Sequence, residues 1–207
     1  MRSLPRAAAS AVAILALASC TGTKMIQTWR DPKYQAQPVK RIFIIAVVPS
    51  DRHRVLMENT LAQTLLDKGY LSATSTGVFQ EGQIDKDKAT AFAKSNKIDL
   101  VIVMRLTKST ELDYLPPTLD YVPASAYYGG WWSAYGAGDG FYYTSGYLEE
   151  NTTVKSETSV YSAHTDPEKL VWSGASATFN VQNAQDAAKS LSDALVADLV
   201  KAGILVR

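Results

Sequence analysis

The sequence predicts one α/β domain in which helices pack on a mixed β-sheet. Three observations carry that reading. Residues 41–48 and 98–106 are continuous apolar runs, as expected of strands buried on both faces. Segments of helical spacing alternate with them. Residues 149–181 then read as two strands around His164-Thr165-Asp166-Pro167-Glu168-Lys169, a run of turn-forming residues.

Taken in order, residues 21–40 are polar and hold Pro32 and Pro38, with a short apolar-aromatic piece at 25–29. They predict a tether over residues 20–40 whose later part packs on a domain spanning 41–207. The first strand ends at Pro49, and Ser50 or Asp51 caps the helix that follows. There Leu56, Thr60, Leu61, Thr64 and Leu65 recur at helical spacing, and Gly69 is placed to close the helix as a left-handed C′ residue. A short strand is expected over 71–76, and a second helix from Asp85 with Ala89, Phe92 and Ala93 inward. The strand at 98–106 completes a β-α-β-α-β order, the mark of an α/β layer. In the hairpin, Val171, Ala175, Ala177, Phe179 and Val181 alternate, which predicts a half-buried antiparallel pair. Trp172 falls on the other face from Val171. The last helix spans 184–202, with an apolar stripe at Ala184, Ala187, Ala188, Leu191, Leu195 and Leu199, and Gly203 ends it.

Between the second long strand and the hairpin lies a segment of different character. Residues 114–148 contain eleven of the twenty aromatics, and only Asp120 and Asp139 are charged. So long a connection in a compact domain is usually functional or disordered. Tyr127, Tyr128, Trp131, Trp132, Tyr135, Tyr142 and Tyr143 are the candidate partner-binding residues, because Tyr and Trp offer large rigid contact area with a polar tip. A Gly/Tyr-rich loop that pads the hairpin end, contact with lipid headgroups, and stacking on peptidoglycan sugars fit the same composition.

The N-terminus is a processing segment by its pattern. Arg2 and Arg6 precede an uncharged run at 7–19 that is too short to cross ~30 Å of hydrocarbon. It ends in Leu17-Ala18-Ser19-Cys20, which resembles the lipobox of bacterial lipoproteins. Cleavage before Cys20 and a diacylglyceryl group on its thiol, with fatty acyl chains such as palmitate, are what that resemblance implies. Thr21, where an aspartate would favour inner-membrane retention, implies the outer membrane and its periplasmic face. Three acyl chains exceed the two signals that stable anchoring needs. Loss of Arg2 and Arg6 with the leader takes the 21 basic residues to 19 against 20 acidic. That balance carries no footprint for nucleic acid.

Catalytic chemistry finds no set of residues to rest on, and the reading is of a protein that is not an enzyme. Cys20 is the one cysteine, so no disulfide forms within the chain, and His53 and His164 are the only histidines. No metal ligand set and no nucleophilic triad follow from them, and no cofactor is expected. Gly136-Ala137-Gly138-Asp139-Gly140 lacks the preceding strand and following helix of a phosphate loop. Asp85-Lys86-Asp87-Lys88 lacks the other ligands of a calcium loop.

Four pieces carry a wider resemblance: the lipobox, Thr28-Trp29-Arg30-Asp31-Pro32, the aromatic insertion, and Lys169-Leu170-Val171-Trp172-Ser173-Gly174. Together they resemble a group of bacterial envelope lipoproteins defined as a domain of unknown function. Their fold is similar to the N-terminal domain of TolB and the α/β core of CsgG. The resemblance implies a non-enzymatic adaptor or assembly protein of the cell envelope with a protein partner. A peptidoglycan-binding or cell-wall-modifying protein is the alternative expectation.

Overall fold

The computed structural model describes residues 21–79, 86–107, 130–132, 153–165 and 168–207. Its centre is a six-stranded mixed sheet. The strands are β1 (Gly22–Arg30), β2 (Arg41–Val47), β3 (Leu71–Thr74), β4 (Leu100–Thr107), β5 (Val154–Ser162) and β6 (Lys169–Phe179), in spatial order β1-β6-β5-β4-β2-β3. The pairs β2–β3 and β2–β4 are parallel, whereas β4–β5, β5–β6 and β6–β1 are antiparallel. The helices are α1 (Asp51–Asp67), the single turn α2 (Ser75–Val78), α3 (Lys86–Ser95) and α4 (Ala184–Lys201). The α/β class with a mixed sheet and a C-terminal helix is therefore what the chain adopts.

Alternate residues of each strand feed two cores. On one face, Ile42, Ile44, Leu100, Ile102, Met104 and Val160 pack under Leu61 and Leu65 of α1 and Leu191, Leu195 and Leu199 of α4. On the other, Phe43, Ile45, Val101, Val103 and Tyr161 meet Ala89 and Ala93 of α3, together with Trp131. The continuous apolar runs follow from this arrangement, since β2 and β4 are covered on both sides. The hairpin differs from its expectation in one respect. It is antiparallel, but β6 is buried along nearly its whole length rather than on alternate residues, because it lies inside the sheet with β1 outside it.

The reading of residues 20–40 as a tether is corrected. Gly22–Arg30 is an edge strand, paired with β6 from Gly22↔Phe179 to Arg30↔Trp172. The two short motifs singled out in the sequence are thus partners in one ladder. Trp29 faces Ser173, Thr28 faces Gly174, and beyond the ladder Asp31 Oδ2 lies 2.6 Å from Lys169 Nζ. Asp31 Oδ1 also accepts from the Lys33 amide at 2.8 Å, forming the turn that Pro32 occupies. Trp172 is buried in the first core, and its ring lies across Gly174. A Cβ at Gly174 would stand 2.4 Å from that ring, so glycine here answers to the indole above it.

Three helices close on the same hydrogen-bond pattern. At the end of α1, Gly69 N donates to Leu66 O and Tyr70 N to Leu65 O, with Gly69 at φ +83°. At the end of α4, Gly203 N donates to Val200 O and Ile204 N to Leu199 O, with Gly203 at φ +65°. Both glycines are the C′ residues that the sequence nominates. After α3, Lys97 N donates to Lys94 O and Ile98 N to Ala93 O, so Lys97 fills the same position at φ +51°.

Candidate functional site

The strand directions gather several features at one end of the sheet. β2 and β4 finish there, α1 begins there from Ser50, and α4 begins there from Asn183. The chain enters there as well, since Gly22 pairs with Phe179 at the last residue of β6. Thr107 and Lys155 are ladder partners, so the long β4–β5 connection leaves and returns at this end. Val154 pairs with Thr178, and Thr178 with Thr23, whose hydroxyls lie 2.8 Å apart. Three strands thus carry the chain's entry to the root of the insertion in two ladder steps, roughly 10 Å at the usual strand spacing.

At that root the N-terminal turns of α1 and α4 stand apart over the strand ends. Between them lies a crevice of about 170 Å³, lined by Leu56, Met57, Leu106, Val154, Val181 and Leu191, with His53 and Thr178 as polar members. In open α/β sheets the crevice beyond the carboxyl ends of parallel strands is where ligands collect. Asn183 caps α4, its Oδ1 accepting from Asp186 N at 2.9 Å. The α1 wall is set by Glu58, which the sequence reading passed over. This fully buried carboxylate accepts from Ala46 N at 2.9 Å, from Thr76 N and Thr76 Oγ1 at 2.9 Å each, and from Ser75 Oγ. It ties α1 to the end of β2 and the first turn of α2. A lone glutamate among polar helix residues gives no advance sign of that role.

On the opposite face of the same end, Arg105 and Glu157 are ladder partners. Burial raises the Glu157 pKa, opposed by the charge of Arg105, and burial lowers that of Arg105, opposed by Glu157. Each charge offsets part of the other's desolvation.

The aromatic candidates divide. Trp131 is fully buried among the second-core residues, and its ring stands edge-on to Trp132 with centroids 5.2 Å apart. It is therefore a core side chain, not a contact offered to a partner, a correction whose physical reason is that the indole's large apolar area is removed from water in the second core. Trp132 is part-buried against the same core. Tyr127, Tyr128, Tyr135, Tyr142 and Tyr143 lie outside the described residues, as do Cys20, Asp85 and residues 136–140. His53 and His164 sit at opposite ends of the sheet. His164 Nε2 lies 3.5 Å from Asp99 Oδ1 near the hairpin turn. Among the described residues no three His, Cys, Asp or Glu side chains gather as a metal site, and no helix is long and apolar enough to cross a membrane.

No protein-family model matches the chain, and no curated protein matches it. Among solved structures it is similar to the PelC dodecamer from Paraburkholderia phytofirmans. The two are 13% identical, with a TM-score of 0.46 over 89% of this chain and 99% of that one. A single-substitution variant of that dodecamer, in another crystal form, gives the same score and identity over 84% and 95%. TolB from Acinetobacter baumannii is similar at 12% identity and a TM-score of 0.33, over 87% of this chain and 31% of TolB. At these values the likeness assigns no activity to this chain.

Proposed function

We propose that this chain is a lipid-anchored protein of the bacterial cell envelope that works by docking other components rather than by catalysis. Acylated at Cys20, the domain faces the periplasm from the outer membrane. The observation that carries the reading is how few residues separate Cys20 from the first strand of the sheet. β1 begins at Gly22, two residues on, at the end holding the apolar crevice and the root of the aromatic insertion. Two residues reach roughly 7 Å when extended. A lipid at Cys20 therefore keeps that end against the bilayer, and the opposite end turns toward the periplasm.

The test is fractionation of cells expressing Cys20→Ala. The variant is expected in the soluble fraction, with intact mass showing no lipid, while the parent chain stays with membranes and carries the acyl mass. A parent chain that is soluble and unacylated defeats the proposal. The partner is sought by affinity purification from envelopes with residues 133–148 deleted and Gly130–Trp132 kept. Loss of the captured partner assigns the contact to the insertion, and its retention places the contact elsewhere.

A further inference from the structure

The near-zero charge of the chain conceals an uneven distribution over the fold. At the sheet end opposite the entry of β1, Lys40, Arg41, Lys68, Lys94, Lys97 and Arg207 are all exposed. Against them stands Asp67 as the fully exposed side-chain carboxylate among the described residues of that end, while the part-buried Asp99 is engaged by the Lys40 and Arg41 amides at 2.7 and 2.8 Å. Hydrogen bonds place these cations side by side. Arg41 Nη1 donates to Asn96 O at 2.9 Å, next to Lys97, and Val39 N donates to Val206 O at 2.8 Å, which sets Lys40 near Arg207. The Arg207 guanidinium lies 5.7 Å from the Tyr70 ring centroid, close to Lys68.

Apolar surface is exposed in the same place. Leu71 is 58% exposed at the start of β3, and Val206 is 36% exposed beside it across Val39–Lys40. Among the described residues β3 is an edge strand, paired with β2 on one side only. Beside it opens a second crevice of about 170 Å³, walled by Ile42, Ala73, Phe92 and Ile98 and rimmed by Arg41 and Asn96. An open strand edge, a small apolar recess and a rim of cations lie within one corner of the fold.

We infer that this corner binds an acidic segment of a partner protein, extended along β3. The segment places an apolar side chain in the recess and carboxylates against Lys40, Arg41, Lys68 and Lys97. Main-chain pairing with the free edge supplies affinity, and alternate side chains supply selection. The cations complement an acidic sequence and speed its encounter. The recess separates this partner from a plain polyanion, which has nothing to place there. The inference stands on the charges and the edge strand and does not depend on acylation of Cys20.

The experiment uses the full chain in neutral detergent and a fluorescein-labelled twelve-residue peptide of alternating glutamate and leucine, read by anisotropy. Binding is expected, weakening as salt is raised. Lys40→Glu/Lys68→Glu/Lys97→Glu is expected to weaken it at least tenfold, and Ala73→Phe, which fills the recess, about as much. Circular dichroism confirms that each variant is folded. Lys24→Glu/Arg52→Glu/Lys189→Glu makes the same charge change elsewhere and is expected to alter binding less than twofold. The inference is overturned if the peptide does not bind, or if both triple variants weaken it equally. It is also overturned if a serine-for-leucine peptide, polygalacturonate or phosphatidylglycerol vesicles bind as well as the glutamate–leucine peptide.

Discussion

At the scale of single residues, two positions carry measurable consequences. Asp31 is 5% exposed, accepts from the Lys33 amide and faces Lys169. Burial acts to raise its pKa, but Lys169 and the Lys33 amide outweigh it and hold the carboxyl below the ordinary carboxylate value. A folded-state pKa below the unfolded one stabilises the protein above the unfolded value, near pH 4, and that contribution is lost as pH falls through the folded value. Asp31→Asn is therefore expected to cost about 1–3 kcal/mol at pH 7. The gap from the parent chain should close progressively below about pH 4. Urea titrations across that range check it, and a gap that persists unchanged at pH 2 contradicts the assignment. Glu157, whose pKa burial raises, shifts stability the other way, but it is common to both proteins and cancels in the difference. At Lys97 the backbone is left-handed at φ +51°, where a Cβ costs roughly 1 kcal/mol. Lys97→Gly removes that cost while loosening the unfolded chain, so a gain of up to about 1 kcal/mol is expected, seen as a higher urea midpoint at unchanged slope.

The elements themselves were largely legible in the sequence, and the misses have physical causes. Residues 41–47 are a continuous apolar run, 51–67 and 184–201 have apolar residues at helical spacing, and all three have sharp end signals, Pro49 and Gly69 for the first two and Gly203 for the last; they fold where those signals place them. β1 was missed because an edge strand needs no apolar run. Its alternation of exposed and half-buried residues is dominated by Lys24, Gln27 and Thr28, which read as a polar linker. The crevice could not be read at all, since His53, Leu106 and Val181 are brought together only by topology. The insertion reads as surface by composition, yet Trp131 is withdrawn into the second core. Trp131→Ala is therefore expected to cost about 3–5 kcal/mol in a urea titration, as large aromatic truncations in cores do. A loss below about 1 kcal/mol would mean that the ring is not a structural anchor. The consequence for experiment is direct. A deletion of residues 114–148 removes a core tryptophan along with any partner contact, so loss of binding in that variant has two causes. Deleting only 133–148 separates them.

For the whole molecule, the argument concerns orientation. The described residues place the entry of β1, the apolar crevice between α1 and α4, and the root of the insertion at one end. They place the exposed cations and the free start of β3 at the other. The ends are separated by the length of β4, eight residues or roughly 26 Å. If a lipid at Cys20 fixes the first end to the bilayer, the second projects about that distance into the periplasm, where a partner can reach it without competing with headgroups. Cys20 is the one native cysteine, and where lipid blocks its thiol an introduced cysteine is a unique labelling site. Gln185→Cys lies in the first turn of α4, and Lys68→Cys just beyond the last turn of α1; both positions are exposed. The acylated protein carrying a fluorophore at either site is reconstituted into neutral phosphatidylcholine vesicles that contain a headgroup-linked nitroxide quencher. The label at Gln185 is expected to be quenched severalfold more strongly than the label at Lys68. Equal quenching means that the domain tumbles on its anchor, and the reverse order means that the basic end meets the membrane. Either result removes the two-ended arrangement, because an acidic partner and an anionic bilayer would then compete for the same cations.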